Sequence, residues 1–583
     1  MEQKKNKQRN LKRSSLVQLL SGILIIVLIN VISSFVFTRF DLTSEKRYSL
    51  SPATKEMLKG IDDIVYFRVY LEGEFPAGFK RLRNATREML DEFRAYNKNI
   101  HYEFVNPSAS EDEQERNDTY QLLIEKGLQP TDLQVNTKEG REQQIIFPGA
   151  LANYKSSEMA VELLGSQLGV PPEEALNNSV EALEFRLAGA IRDLTVVNKP
   201  MIAFIRGHGE LDNRYIYDIG QALSKQYTVG VIAIGEQLSS LTKRDSISDD
   251  KTRIVNKYDA LVIAKPDSAF SEKDKFIIDQ YIMRGGKVLW LVDPVLASMD
   301  SLEARETTLG IARDLNLDDM LFRYGVRLNP NLVMDLNALP IPLRTGQVGG
   351  QPKIDFFPWY YFPVITPSEN HPIVKNLNVI KTEFVSSIDT IRVADVKKTI
   401  LLKTSAYSRT ISTPAMITLA ILEQEPDERA YTGPPQPVAV LLEGEFRSNF
   451  ENRIPPEIQQ NKDIGFLPKS KPTSMIVVAD GDVIRNQLHF SQGYPMPLGY
   501  DQYTGQSFGN KDFILNALDY MLDESGLISI RSRDLKLRLL DMTRVNNNKF
   551  FWQALNIILP VMLVLIYGFI QHYLRKKKYT SAR

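Results

Sequence analysis

The chain has 583 residues, with 71 basic and 71 acidic side chains, five histidines and no cysteine. That length provides for several domains with buried cores, while zero formal charge argues against a dedicated nucleic-acid binder. Without cysteine there is no disulfide, thiolate nucleophile, iron–sulfur cluster or cysteine zinc site.

Residues 1–15 form a basic tail (Lys4, Lys5, Lys7, Arg9, Lys12, Arg13), and residues 16–37 carry no charge. That run is long enough for a helix across a hydrocarbon core of roughly 30 Å. It exceeds the apolar region of a signal peptide, about 7–15 residues, and leaves through Thr38, Arg39, Phe40 and Asp41. It reads as an uncleaved first membrane span with its N-terminus in the cytoplasm. Gln18, Gly22, Asn30 and Ser33 share a loose polar face on it.

Residues 38–175 are expected to form a small α/β domain. Residues 64–71 are β-rich, 79–96 have helical spacing through Leu82, Leu90 and Phe93, and 100–105 alternate. A second helix at 120–126 and a segment at 143–147 follow. The order is thioredoxin-like, βαβ, without the cysteines of thioredoxin chemistry.

Residues 176–530 are expected to form a larger α/β domain. A helix at 180–194 precedes strand 201–205, helix 215–226 and strand 228–232. Strand 260–264 leads to helix 272–283, which Gly285 and Gly286 close, and then to strand 287–292. Strands separated by helices imply a mostly parallel, doubly wound sheet. Residues 346–363, rich in Gly, Pro and aromatics, read as a loop. Strands at 437–442 and 475–479 flank a stretch at 446–471 that reads as a mobile insert. A helix at 511–522 leads to a membrane-proximal segment, 531–549, where Arg531, Arg533, Lys536 and Arg538 interleave with leucines. These bases suit lipid headgroups, the acidic rim of a partner or plain solvent equally.

Residues 550–570 form the expected second span, followed by a basic tail, 571–583, with Arg575, Lys576, Lys577 and Lys578. With two spans and an inside N-terminus, both termini are cytoplasmic. The bulk of the chain is then extracytoplasmic, periplasmic outside an inner membrane. Gln553, Asn556, Pro560 and Tyr567 fall within about 60° of one another on a helix. Polar groups facing lipid are costly, so the stripe is expected to meet protein, either the first span or a separate membrane partner.

His208-Gly209-Glu210 lies where a parallel strand ends, the usual ligand position in open α/β sheets. It pairs an imidazole with a carboxylate; a tight turn capping the next helix is the commoner role. Asp480 and Asp482 have the chemistry to hold a divalent cation or ligand, although Asp-Gly after a strand is more often a turn. The aromatic cluster within 356–362 either stacks a ligand or pins a proline-rich loop to a core. No P-loop, Gly-x-Ser-x-Gly or His-Glu-x-x-His occurs. No catalytic residue, metal or cofactor is assigned. The enzymatic alternative is an extracytoplasmic hydrolase using His208 and Glu210.

Several segments together resemble one family: residues 39–55 (RFDLTSEKRYSLSPATK), 207–211 (GHGEL), 324–327 (YGVR), 438–444 (VAVLLEG), 480–483 (DGDV) and 509–513 (GNKDF). The likeness is to the GldG family, auxiliary substrate-binding components of ABC transporters in gliding Bacteroidota, and it spans nearly the whole chain. It implies an α/β region related to a domain of intraflagellar-transport proteins and similar to the class I glutamine amidotransferase fold, here without the cysteine nucleophile. It also implies a polytopic permease (GldF-like) and a cytoplasmic ATPase (GldA-like) as partners, serving gliding and associated secretion. The expected function is a non-enzymatic, doubly anchored subunit that binds an envelope ligand or partner and couples to ATP-driven motion. A purely structural envelope scaffold is the remaining alternative.

Overall fold

A computed structural model of the chain describes residues 13–14, 16–28, 49–137, 140–165, 168–196, 198–248, 251–303, 305–368, 370–523, 526–532, 545 and 547–580. Asn30 and the rest of 29–48, most of the N-terminal basic tail and most of 531–549 lie outside these residues. The chain divides into two compact units: Tyr48–Arg533 carries the sheets, and Asp534–Arg583 carries a C-terminal helix.

The first sheet has four strands: β1 (Val65–Val69), β2 (Ile100–Phe104), β3 (Gly149–Tyr154) and β4 (Ser157–Glu162), in the order β2-β1-β3-β4. Helix α1 (Ala77–Tyr96) connects the parallel pair β1 and β2, giving the expected βαβ order. Its stripe of Phe79, Leu82, Leu90 and Phe93 is buried against the sheet. Helix α2 (Leu183–Thr195) lays Leu183, Leu187 and Ile191 into that same core, as do Leu527 and Ile530 from near the end of the unit. The core of the small sheet therefore continues past residue 175, where the sequence reading placed a boundary.

The second sheet has seven strands. They are β5 (Met201–Arg206), β6 (Thr228–Ala233), β7 (Ala260–Ala264), β8 (Lys287–Leu291), β11 (Val396–Lys403), β12 (Pro437–Gly444) and β13 (Thr473–Val478), ordered β11-β12-β13-β8-β7-β5-β6. The run from β13 to β6 is parallel, and β12 and β11 add an antiparallel edge. All five side chains of β7 are buried, as a strand covered on both faces requires. Ile202 and Phe204 of β5 face helices α3 (Tyr217–Ser224) and α5 (Asn510–Leu522), while Ala203 and Ile205 face helix α4 (Glu272–Met283). The sheet is thus wound on both sides. Ser271 caps α4, and amides of Gly285 and Gly286 close its end, as expected for the Gly-Gly pair.

Residues 346–363 are not a loop. They belong to a long hairpin of β9 (Ala338–Val348) and β10 (Gln351–Ile365). Gly349 and Gly350, at φ 59° and 82°, make the two-residue turn between Val348 and Gln351. Pro352, Pro358 and Pro363 give this stretch its loop-like composition. Only the base of β10 pairs a third strand, at Ile380–Lys381; beyond it the two strands have outward N–H positions that need no partner, and their register shifts absorb the misfit. At the hairpin base Trp359, Tyr360, Tyr361 and Phe362 are buried in a core, whereas Val348, Ile354 and Phe356 near the tip are exposed.

The 446–471 segment, expected as mobile, is tied to α4. Asp279 accepts from the Ser448 hydroxyl and the Asn449 amide, each at 2.7 Å, and from Tyr324 at 2.8 Å. Arg284 donates to the carbonyl of Gly465 at 2.7 Å, and Phe446 is fully buried. Asp279→Ala strands three buried donors, so a loss of about 3 kcal/mol is expected in denaturation, together with faster proteolysis within 446–471. An unchanged cleavage rate there would refute this anchoring role.

Candidate functional site

The chain leaves β5 for β6 on one side and returns to β7 on the other, so the crevice at their C-terminal ends is a topological switch point. Several turns with titratable side chains gather along that edge. His208 and Glu210 follow β5, Lys265 follows β7, Asp293 follows β8, and Asp480 and Asp482 follow β13.

His208 does not open onto a cavity. It is 5% exposed, its ring stacked on Phe270 at 3.7 Å between centroids. Nδ1 meets Glu210 Oε1 at 3.2 Å, and Nε2 meets Asp274 Oδ2 at 3.1 Å. The backbone closes the same knot: the His208 amide donates to Glu210, and its carbonyl accepts from Asp267 and Ser268. Asp274 also accepts from the amide of Glu236, beyond the end of β6. Gly209 is required here, because a Cβ would fall 1.6 Å from Asp267 Oδ1. The pair thus fastens the ends of β5, β6 and α4. Both ring nitrogens are taken by carboxylates.

Asp480 and Asp482 belong to a different cluster. The carboxylates of Asp293, Asp480 and Asp482 lie within 4.8 Å of one another, a spacing that suits a cation. The chain supplies its own cation: Lys265 pairs with Asp482 and, at 3.2 Å, with Asp293. Arg485 reaches Asp482 Oδ1 at 3.2 Å. Asp480 instead turns to the backbone, accepting from the amides of Asp482 at 2.7 Å and Glu383 at 2.8 Å. Glu383 faces Lys381 at 3.7 Å. Burial pushes Asp480, Asp293 and Glu383 upward, and neighbouring carboxylates add to this. Burial acts the same way on Asp482, but Lys265 and Arg485 outweigh it and hold that group below the usual range. Lys265 is in turn held charged, Asp482 and Asp293 overcoming its burial.

This ionic cluster floors a groove of about 480 Å³. Lys265, Glu383, Asp482 and Arg485 line its polar side. Leu339, Ile341 and Leu343 of β9, with Met299, Phe362 and Phe384, form an apolar wall. Phe490 and Tyr503, 75% and 51% exposed, also line it. An apolar wall beside a few fixed charges can hold an amphipathic ligand and orient its polar end. Of the sequence candidates, Asp482 lines this groove, Asp480 braces it from behind, and His208 and Glu210 stand apart. Lys265 and Asp293 could have been found as charges placed directly after apolar strands. Glu383 had no such signal.

A C-terminal helix, α6, runs over Lys549–Thr580. Its segment Lys549–Lys577 is long and apolar enough to cross a membrane, whereas the N-terminal apolar helix is described only over Leu16–Leu28. Gln553, Asn556, Pro560 and Tyr567 are exposed on α6, and Gln18 is exposed on the N-terminal helix. Gln571, about five turns beyond Gln553, extends the stripe and donates to the Tyr567 hydroxyl at 3.1 Å. Pro560 sits within the helix and leaves the carbonyl of Asn556 without its usual donor.

Burial disfavours a charged His208, yet Glu210 and Asp274 overcome it and raise its pKa. The folded imidazole therefore binds its proton more tightly than the unfolded one. The stability it contributes is complete below about pH 6.5 and is lost as pH rises through the folded value. The gap in thermal midpoint between wild type and His208→Gln should shrink over the interval in which pH rises from about 6.5 through the folded value. A gap that stays constant over this interval would contradict the assignment.

Comparison with known proteins gives the large sheet an affiliation. Residues 199–517, more than half of the chain, match the family described as "ABC-type uncharacterized transport system", an auxiliary transport component. Residues 44–153, around the small sheet, match a domain family of unknown function. A Borreliella burgdorferi protein described as uncharacterized is 20% identical over 575 residues, covering 97% of this chain and 99% of its own length. The solved mmIFT52 N-terminal domain aligns over 55% of this chain and 96% of its own, at 12% identity and a TM-score of 0.29. By the match across its seven-stranded sheet, the chain belongs to the auxiliary family of ABC-type transport systems.

Proposed function

We propose that this chain is the membrane-anchored, non-enzymatic auxiliary subunit of an ABC transporter of the GldG type, working with a GldF-like permease and a GldA-like ATPase in gliding motility and associated secretion. One observation carries the reading: a transport-family sheet domain and an apolar helix of spanning length, striped with amides, occur in one chain. A helix that displays Gln553, Asn556, Tyr567 and Gln571 to hydrocarbon is costly, and a permease helix relieves that cost. In this reading the N-terminal helix is a second anchor, both termini are cytoplasmic, and the α/β domains stand outside the inner membrane.

The groove beside Lys265 and Asp482 is the part of the exterior suited to an envelope ligand or partner. ATP hydrolysis in the ATPase reaches that ligand only if the exterior contacts it differently in the two states of the transporter. The β1–α1–β2 order favours a thioredoxin-like small unit, and the parallel run from β13 to β6 favours an amidotransferase-like sheet lacking its nucleophile.

Co-expression with the permease and the ATPase, followed by purification in mild detergent, should yield a stable three-component complex. Gln553→Leu combined with Asn556→Leu should lower the recovered permease at least fivefold without lowering the amount of this chain in the membrane. Recovery of this chain alone, with both partners present in the membrane, would sink the proposal.

A further inference from the structure

A second cavity, of about 570 Å³, lies away from the groove, where α2 approaches α5 and the segments 375–378 and 507–509. Besides Arg192, which is paired with Asp193, two guanidinium groups line it, Arg186 from α2 and Arg531 from the turn Leu527–Ser532. Each is held in place by one carbonyl. Arg186 donates to Glu162 O at 2.7 Å, and Arg531 donates to Lys375 O at 3.0 Å while lying over the Phe185 ring, 5.3 Å from its centroid. Among the described residues neither has a carboxylate in ion-pair contact.

Five carboxylates, Glu162, Glu181, Asp193, Asp512 and Asp519, line the same cavity, and several of them have partners other than these two arginines. Asp193 is paired with Arg192 at 2.8 Å and accepts from Gln226; Asp519 accepts from the Tyr227 hydroxyl. Glu162 accepts from the Gln129 amide, and burial pushes its carboxyl up to about 7. Asp512 acts on both arginines from an exposed position without touching either. Burial outweighs these carboxylates and lowers both guanidinium pKa values, that of Arg531 to about 10, as expected for cations whose charge is under-compensated. A guanidinium carries five N–H donors in a planar fork matched to oxyanions, and one carbonyl uses a single donor.

We propose that this cavity is a binding site for a phosphate-bearing anion, clamped between Arg186 and Arg531. The site is separate from the groove at the strand ends and independent of what that groove holds. Lys375, from the segment facing α2, adds a further basic residue to the wall. Gly189 gives the site its access, because a Cβ placed there would meet nothing within 4 Å.

The test is calorimetric titration of the detergent-solubilised full chain with inorganic phosphate, and separately with lysophosphatidic acid. Saturable binding of inorganic phosphate identifies a soluble ligand. Binding of the lysolipid alone identifies a lipid headgroup, and either result supports the site. Arg186→Gln and Arg531→Gln should each weaken the bound probe at least tenfold, and Arg531→Lys should weaken it less. Gly189→Leu keeps both arginines and replaces a helical glycine with a better helix former. It should abolish binding by filling the cavity while leaving the thermal midpoint no lower. Absence of saturable binding for both probes, or undiminished binding in the Arg186→Gln/Arg531→Gln double variant, overturns the proposal.

Discussion

A parallel strand covered on both faces can carry a charge only where it ends. β7 buries all five of its side chains, and β8 and β13 are nearly as enclosed. Lys265, Asp293, Asp480 and Asp482 therefore collect along one edge of the sheet, desolvated and within reach of one another. Removing several carboxylates from water is affordable only with a cation among them. The Lys265 ammonium meets that need, and Arg485 supplements it. The groove, its polar floor and the placement of the hairpin wall all follow from where those strands stop.

The same edge uses a second device at β5. Where the β7 and β13 ends share a lysine, the β5 end shares an imidazole between Glu210 and Asp274. The two clusters look alike in composition but differ in exposure to ligand. The lysine cluster forms one side of an open groove, and the histidine is shut beneath Phe270. Titratable pairs at strand ends thus serve two purposes in one sheet, and only the shape of the surrounding surface distinguishes them.

Much of the architecture could be read from local sequence. The apolar runs at 201–205, 260–264, 287–292 and 475–479 announce buried strands because both faces are covered, and Gly285-Gly286 marks a helix end by glycine's conformational freedom. The β9–β10 hairpin escaped because its prolines mimic loop composition, a cue that fails where a strand pair extends beyond the rest of its sheet. The 446–471 segment looked loose because its anchors, Asp279 and Arg284, lie on a distant helix. The partners at the groove floor were invisible for a related reason. Lys265 and Asp482 are 217 residues apart, and Glu383 approaches Asp480 only through its backbone amide. The Asp-Gly-Asp turn was legible as a turn, but not the lysine that balances it.

The order of strands also bears on how the chain is made. β8 pairs with β13, yet the whole of 292–472 is synthesised between them. During synthesis from the N-terminus, β5 to β8 can assemble early and would then present the open side of β8, a hydrophobic parallel edge, until β13 arrives. Delayed closure of this kind is slow and exposed to mispairing with other extended chains. The heavy insertion between adjacent strands makes the nascent sheet domain a natural client for holding chaperones in whichever compartment it folds.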